Sequence, residues 1–178
     1  ILSDVLEYSD NLYEYISELD LNKKVEVLNR FEVTTAVDYL RNLDISQRNM
    51  LIDLIENIPK EEIELLSSFR EEEIGSKMTT NYVSIHTGIS IRQAMKELVE
   101  QAADNDNIST IYVVDEDETL LGAIDLKDLI IAREGTTLES IIMISYPYVY
   151  GNELIEDCIE DIKDYSEDSI PVLNENKK

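Results

Sequence analysis

Glycine is scarce in this sequence: five residues among 178, none of them before Gly75. The motifs GxxxxGK[ST] and GxGxxG are absent, so no glycine-rich loop is available to cradle a phosphate. Cysteine is nearly absent as well. Cys158 stands alone, which excludes an internal disulfide and removes support for zinc or iron–sulfur chemistry, and a reducing compartment is the expected home. One histidine, His86, leaves no HExxH pattern and no histidine-based triad; it is expected in a surface loop. Bases are few: 15 Lys and Arg against 39 Asp and Glu give a net charge of −24. Phosphate backbones and anionic membrane surfaces need basic clusters that this chain lacks, so no nucleic acid is expected as a partner. No uncharged apolar run reaches the roughly 18 residues of a membrane span, and no signal peptide is expected. The chain opens on Ile1 rather than Met, so a fragment, or a chain given without its ends, is expected.

What the sequence does contain is apolar residues at 43% and charged residues at 30%, the balance of a folded protein rather than a disordered acidic tail. Up to about Phe69, apolar residues fall three and four apart, which predicts short helices joined by polar turns. Val33, Ala36, Val37 and Leu40 form one stripe; Met50, Leu51, Leu54 and Ile55 a second; Ile63, Leu66 and Phe69 a third, after a Pro59 suited to a first helical turn. After Gly75 the pattern changes to extended segments alternating with helices. Strands are predicted at 80–85, 110–114 and 120–124, with helices at 89–103 and 126–132. The order then restarts, Tyr148-Val149-Tyr150 echoing Tyr82-Val83-Ser84 and Ser169-Ile170-Pro171-Val172 echoing Thr110-Ile111-Tyr112-Val113. The second copy stops short of a returning strand. Tyr146 to Tyr150 are assigned to the core or a dimer contact.

The strings Ile111-Tyr112-Val113-Val114-Asp115 and Leu121-Gly122-Ala123-Ile124-Asp125-Leu126-Lys127-Asp128-Leu129 resemble the end of a CBS motif, and Ser169 to Leu173 its second occurrence. The junction Phe69-Arg70-Glu71-Glu72-Glu73-Ile74-Gly75-Ser76-Lys77-Met78-Thr79, followed by Tyr82-Val83, resembles that of the MgtE family of magnesium channels. This resemblance implies an α+β chain: an acidic, all-helical superhelical domain over residues 1–73, a first CBS unit over 74–142 and a partial second unit over 143–178. It also implies a non-enzymatic, magnesium-sensing cytoplasmic region at the cytoplasmic face of the cell membrane. The region would dimerise through the CBS units and close the pore of the same full-length protein when magnesium binds between acidic domain faces. That transmembrane pore domain is the implied partner.

By the family pattern, Asp38 and Asp4 fall at magnesium-associated positions of the helical domain, and Glu156 and Asp164 at acidic positions of the second CBS unit. Ser166 and Thr34 stand where the family has acids, with Glu167 adjacent to the first. Magnesium takes one or two carboxylates directly and keeps several waters. Two carboxylates about 5 Å apart repel by roughly 3 kcal/mol at an effective dielectric near 20, so opposed acidic faces should separate without a cation. CBS pairs can also hold adenine nucleotides, ATP among them, with an Asp at the start of the last helix on the ribose; Asp128 matches that position, although Asp125 replaces the usual Ser or Thr. The alternative reading is therefore an adenine-nucleotide-sensing CBS module of another effector.

Overall fold

A computed structural model describes residues 12–133 and 135–178. It divides into two units, one ending at Thr79 and the other running Thr80–Lys178. The helical unit contains α1 (Leu12–Glu18), α2 (Leu21–Leu28), α3 (Val33–Arg41), α4 (Ile45–Leu54) and α5 (Lys60–Ser67), then a 3₁₀ turn at Ile74–Lys77. Each helix is too short to be stable in isolation, so each depends on an apolar face, and two of them also on a side-chain cap. Asp20 opens α2 by accepting from the Lys23 N–H, and Asp44 opens α4 by accepting from those of Ser46 and Gln47. Asn29, just past α2, uses its Oδ1 to accept from the backbone of Glu56 and Asn57, which pins the loop between α4 and α5.

The predicted stripes are buried where their spacing points inward. Val33, Ala36, Val37 and Leu40 all enter the core with Leu28, Ile63 and Leu66; a large side chain so buried contributes about 1.5–3 kcal/mol. The second stripe is only half right. Leu51 and Ile55 are buried, whereas Met50 and Leu54 are 45% and 41% exposed, because those two share the neighbouring face of α4, one residue round from the core. Met78 also packs against the helical core. The 3₁₀ turn and Met78 therefore belong with the helices, and the division falls a few residues beyond the expected 73/74 boundary.

The second unit is built on β1 (Val83–His86), α6 (Ile91–Gln101), β2 (Thr110–Val114), β3 (Leu120–Asp125) and α7 (Leu126–Ile131). β1 pairs parallel with β2 through Val83 and Ile111, and β2 pairs antiparallel with β3 through Thr110 and Asp125. All five residues of β2 are buried, as a central strand covered on both faces requires. A reciprocal Ser90–Gln93 capping box starts α6. Asp115 accepts from the Asp117 and Thr119 N–H groups and shapes the turn between β2 and β3, where Glu118 takes a left-handed φ of 62°. His86 is the last residue of β1 rather than a loop residue; it is exposed, and its Nε2 lies 2.9 Å from a Glu118 carboxylate oxygen. β1 begins at Val83, later than predicted, because the Tyr82 N–H turns back to the Thr80 carbonyl.

The repeat is present in three dimensions. β4 (Val149–Tyr150), α8 (Ile155–Ile162) and β5 (Val172–Leu173) follow, with β4 and β5 parallel through Val149 and Val172, as β1 and β2 are. The two copies are joined at Ser169, whose hydroxyl lies 2.7 Å from the Tyr112 hydroxyl and whose carbonyl accepts from the Tyr146 hydroxyl. Burial pushes the Tyr112 phenol up to about 12. Tyr146 is core, while Tyr148 is 41% exposed and meets Tyr150 edge-on. Cys158 is fully buried, and burial, with the Glu153 carboxylate near its sulfur, pushes its thiol up to about 11.

A close backbone contact fastens the linking segment to the sheet: Ala123 and Met143 exchange N–H···O bonds of 3.3 and 2.8 Å. Gly122 makes room for it, since a Cβ there would stand 2.4 Å from the Met143 carbonyl oxygen. Gly122→Ala should therefore lower stability by about 1–3 kcal/mol in chemical denaturation; an unchanged midpoint would show that the contact is dispensable.

Candidate functional site

Asp38 lies on α3, whose buried face is set by Val33, Ala36, Val37 and Leu40. Its carboxylate is flanked by two cations. The Lys77 ammonium donates to Oδ2 at 2.7 Å, and an Arg41 guanidinium nitrogen stands 3.7 Å from Oδ1. Oδ1 is itself buried and accepts no hydrogen bond. Arg41, one helical turn on, is only 14% exposed and donates through Nη2 to the carbonyls of Leu66, at 2.7 Å, and Phe69, at 2.8 Å. It thereby adds a donor to the Leu66 carbonyl, which also accepts from the Phe69 N–H at 3.3 Å, and supplies one to the Phe69 carbonyl just past the end of α5.

Lys77 arrives from a tightly fixed turn. The Arg70 backbone N–H and guanidinium both donate to the buried Glu73 carboxylate, and these bonds, backbone first, hold that carboxyl below its ordinary value. Ser76 is fully buried and donates to the Glu71 carbonyl. Gly75 lies so close under the Phe69 ring that a Cβ would approach it to 2.7 Å. Neither Arg41 nor Lys77 was marked out by sequence reading. The Asp38–Arg41 spacing of three on a helix is a readable pair signal, but Lys77 is 39 residues away from Asp38, beyond any local pattern.

Glu156 lies in the first turn of α8 and Asp164 just after its end; both are exposed. An acid in a first helical turn is favoured by the helix dipole. Neighbouring Glu167 accepts from the Ser166 N–H. Asp4 lies outside the described residues. Asp38 belongs to the helical unit, and Glu156 and Asp164 to the other. Among the described residues, no group of three or more His, Cys, Asp or Glu is placed to hold a metal ion. The donor set fits magnesium only in its water-rich mode, in which a single carboxylate oxygen suffices as protein ligand; at Asp38 that oxygen is Oδ2, since Oδ1 is enclosed beside Arg41.

Asp128 sits in the first turn of α7. The cap of that helix is Asp125, whose Oδ1 accepts from the Lys127 N–H at 2.7 Å, so Asp128 is left exposed. It lines an open cleft of about 520 Å³ together with Arg133, Thr136, Ser140, Ile142 and Met143. A carboxylate for hydroxyls, a guanidinium for phosphate oxygens and apolar side chains for a ring form a donor set that fits an adenine nucleotide.

A family model described as CBS domain matches residues 72–135. The magnesium transporter MgtE of Thermus thermophilus is 31% identical over 144 residues, which are 81% of this chain and 32% of that protein. A crystal structure of the soluble part of a magnesium transporter superposes with a TM-score of 0.83 at 30% identity, over 99% of this chain and 70% of that one. The cytosolic domain of the Mg2+ channel MgtE in complex with ATP superposes with a TM-score of 0.86 at 29% identity, over 99% and 73%. The chain spans between 25% and 40% of the length of the MgtE transporters it matches. No helix among the described residues is long and apolar enough to cross a membrane.

The lowered Glu73 carboxyl stabilises the junction above the ordinary carboxylate value of 4.5, and that contribution is lost as pH falls through its folded value. The melting-temperature advantage of wild type over Glu73→Gln should therefore shrink as pH drops below 4.5. A difference that stays constant from pH 7 to 3 would remove Glu73 from the account.

Proposed function

The chain belongs to the MgtE family of magnesium transporters and corresponds to the cytosolic region of its relatives, and from that premise we propose that it is the magnesium-sensing regulatory part of such a channel. The observation that supports this reading best is the likeness to the cytosolic domain of the Mg2+ channel MgtE over 99% of the chain. Charge supplies the physics. At −24, the acidic surfaces of the two units repel, and a divalent cation between them reverses that preference.

Asp38, with Asp4, Glu156 and Asp164, supplies carboxylates for that ion. Weak, water-rich binding suits a sensor that must release magnesium when the concentration drops. Binding shifts a population only if the ion prefers one arrangement, so the magnesium-bound arrangement is the one that closes the pore. The pore domain of the full-length protein and a second copy, joined through the CBS region, are the partners, at the cytoplasmic face of the cell membrane. The role is regulatory rather than catalytic.

Adenine nucleotide is the second ligand in this reading. The Asp128 and Arg133 cleft supports it, as does the ATP-bound state of a relative. Asp128 takes the ribose hydroxyls. A nucleotide-sensing CBS module of another effector would use the same cleft without any response to magnesium.

Small-angle scattering under magnesium chloride and sodium chloride at matched ionic strength separates these readings. A fall in radius of gyration specific to magnesium is expected; an identical response to both salts would reduce the acidic surface to ordinary screening. Asp128→Asn should raise the dissociation constant for ATP by about tenfold or more, measured by calorimetry, and equal affinity would take Asp128 out of the cleft's function.

A further inference from the structure

We propose that Lys77 is a tethered competitor of magnesium at Asp38, setting the concentration at which that carboxylate takes the ion. The inference rests on the reading of Asp38 as a magnesium ligand.

The Lys77 ammonium already occupies Oδ2 at 2.7 Å, and an incoming cation must displace it or bind beside it. Of the two cations next to Asp38, only this one is able to leave. Arg41 is held by the Leu66 and Phe69 carbonyls and is 14% exposed, whereas the Lys77 side chain is 43% exposed. Its ammonium can be re-solvated at once, on a flexible stem. Its backbone cannot drift away, because the 3₁₀ turn is fixed by the Arg70–Glu73 bonds, by buried Ser76 and by the packing of Gly75 under Phe69. A charge tethered in this way meets its partner at a high effective concentration. Lys77 therefore raises the magnesium concentration needed at Asp38 without itself being a ligand.

Competition of this kind has two signatures. Partly exposed ion pairs are weak, so Lys77→Met should lower the midpoint of a magnesium titration by roughly two- to fivefold, while Lys77→Arg keeps it near wild type. Magnesium binding should also free the amine.

Calorimetric magnesium titrations at fixed ionic strength on wild type, Lys77→Met, Asp38→Asn and the double variant test the first signature, with circular dichroism to establish folding. Tighter binding by Lys77→Met, weaker binding by Asp38→Asn and no further effect of Lys77→Met in the Asp38→Asn background support the proposal. If Asp38→Asn weakens binding but Lys77→Met leaves the midpoint unmoved, competition is wrong and the Asp38 reading stands. If Asp38→Asn binds as wild type does, the Asp38 reading itself falls. If Lys77→Met tightens binding equally without the Asp38 charge, Lys77 acts through the general field, and the proposal is overturned. On unmutated protein, acylation of Lys77 relative to Lys24, followed by mass spectrometry, should rise with magnesium but not with sodium; a flat ratio counts against displacement.

Discussion

The tie between α3, the end of α5 and the turn that follows rests on a single guanidinium. Arg41 reaches from the last turn of α3 to carbonyls at the end of α5, and among the described residues no helix of that unit exceeds ten residues, too few to persist without tertiary partners. Hydrogen bonds to a largely buried charge are the strong kind, and leaving the Phe69 carbonyl without a donor would carry a desolvation penalty. The same residue fixes the electrostatic setting of Asp38 and, through Phe69, the ring beneath which Gly75 passes. Packing, junction and candidate site thus share one anchor.

With only 15 bases in the chain, where each one sits matters. Exposed pairs such as Lys23–Asp20, Lys60–Asp53 and Lys96–Glu100 contribute little to stability. Arg41, Arg70 and Lys77, by contrast, are gathered at the end of the helical unit, where they hold the turn leading out of it. Across the chain the 39 acids still outnumber the 15 bases by 24. An excess of this size is a standing demand for cations from solution.

Much of the fold could be read from the sequence because its signals were local. The buried run Thr110–Val114, the acidic turn and the returning strand were placed closely, since β-branched residues and turn chemistry act over a few positions. The exposed half of the α4 stripe was not legible, because apolar character alone does not say which of two adjacent faces meets a neighbour. Asp38 was singled out only through resemblance. The side chains that decide its chemistry come from one helical turn away and from a distant turn, and only folding brings Lys77 to it. Asp125 shows the reverse: a residue weighed for its effect on phosphate proves to be the cap of α7.

The burial of Cys158 has a practical side. Its thiol is enclosed and stays protonated at neutral pH, and it is the sole cysteine of the chain. Thiol-directed dyes and spin labels have nothing to react with while the protein is folded. The natural sequence therefore serves as its own silent background: one cysteine introduced at an exposed position of each unit would give a clean pair of spectroscopic reporters, with Cys158 left in place.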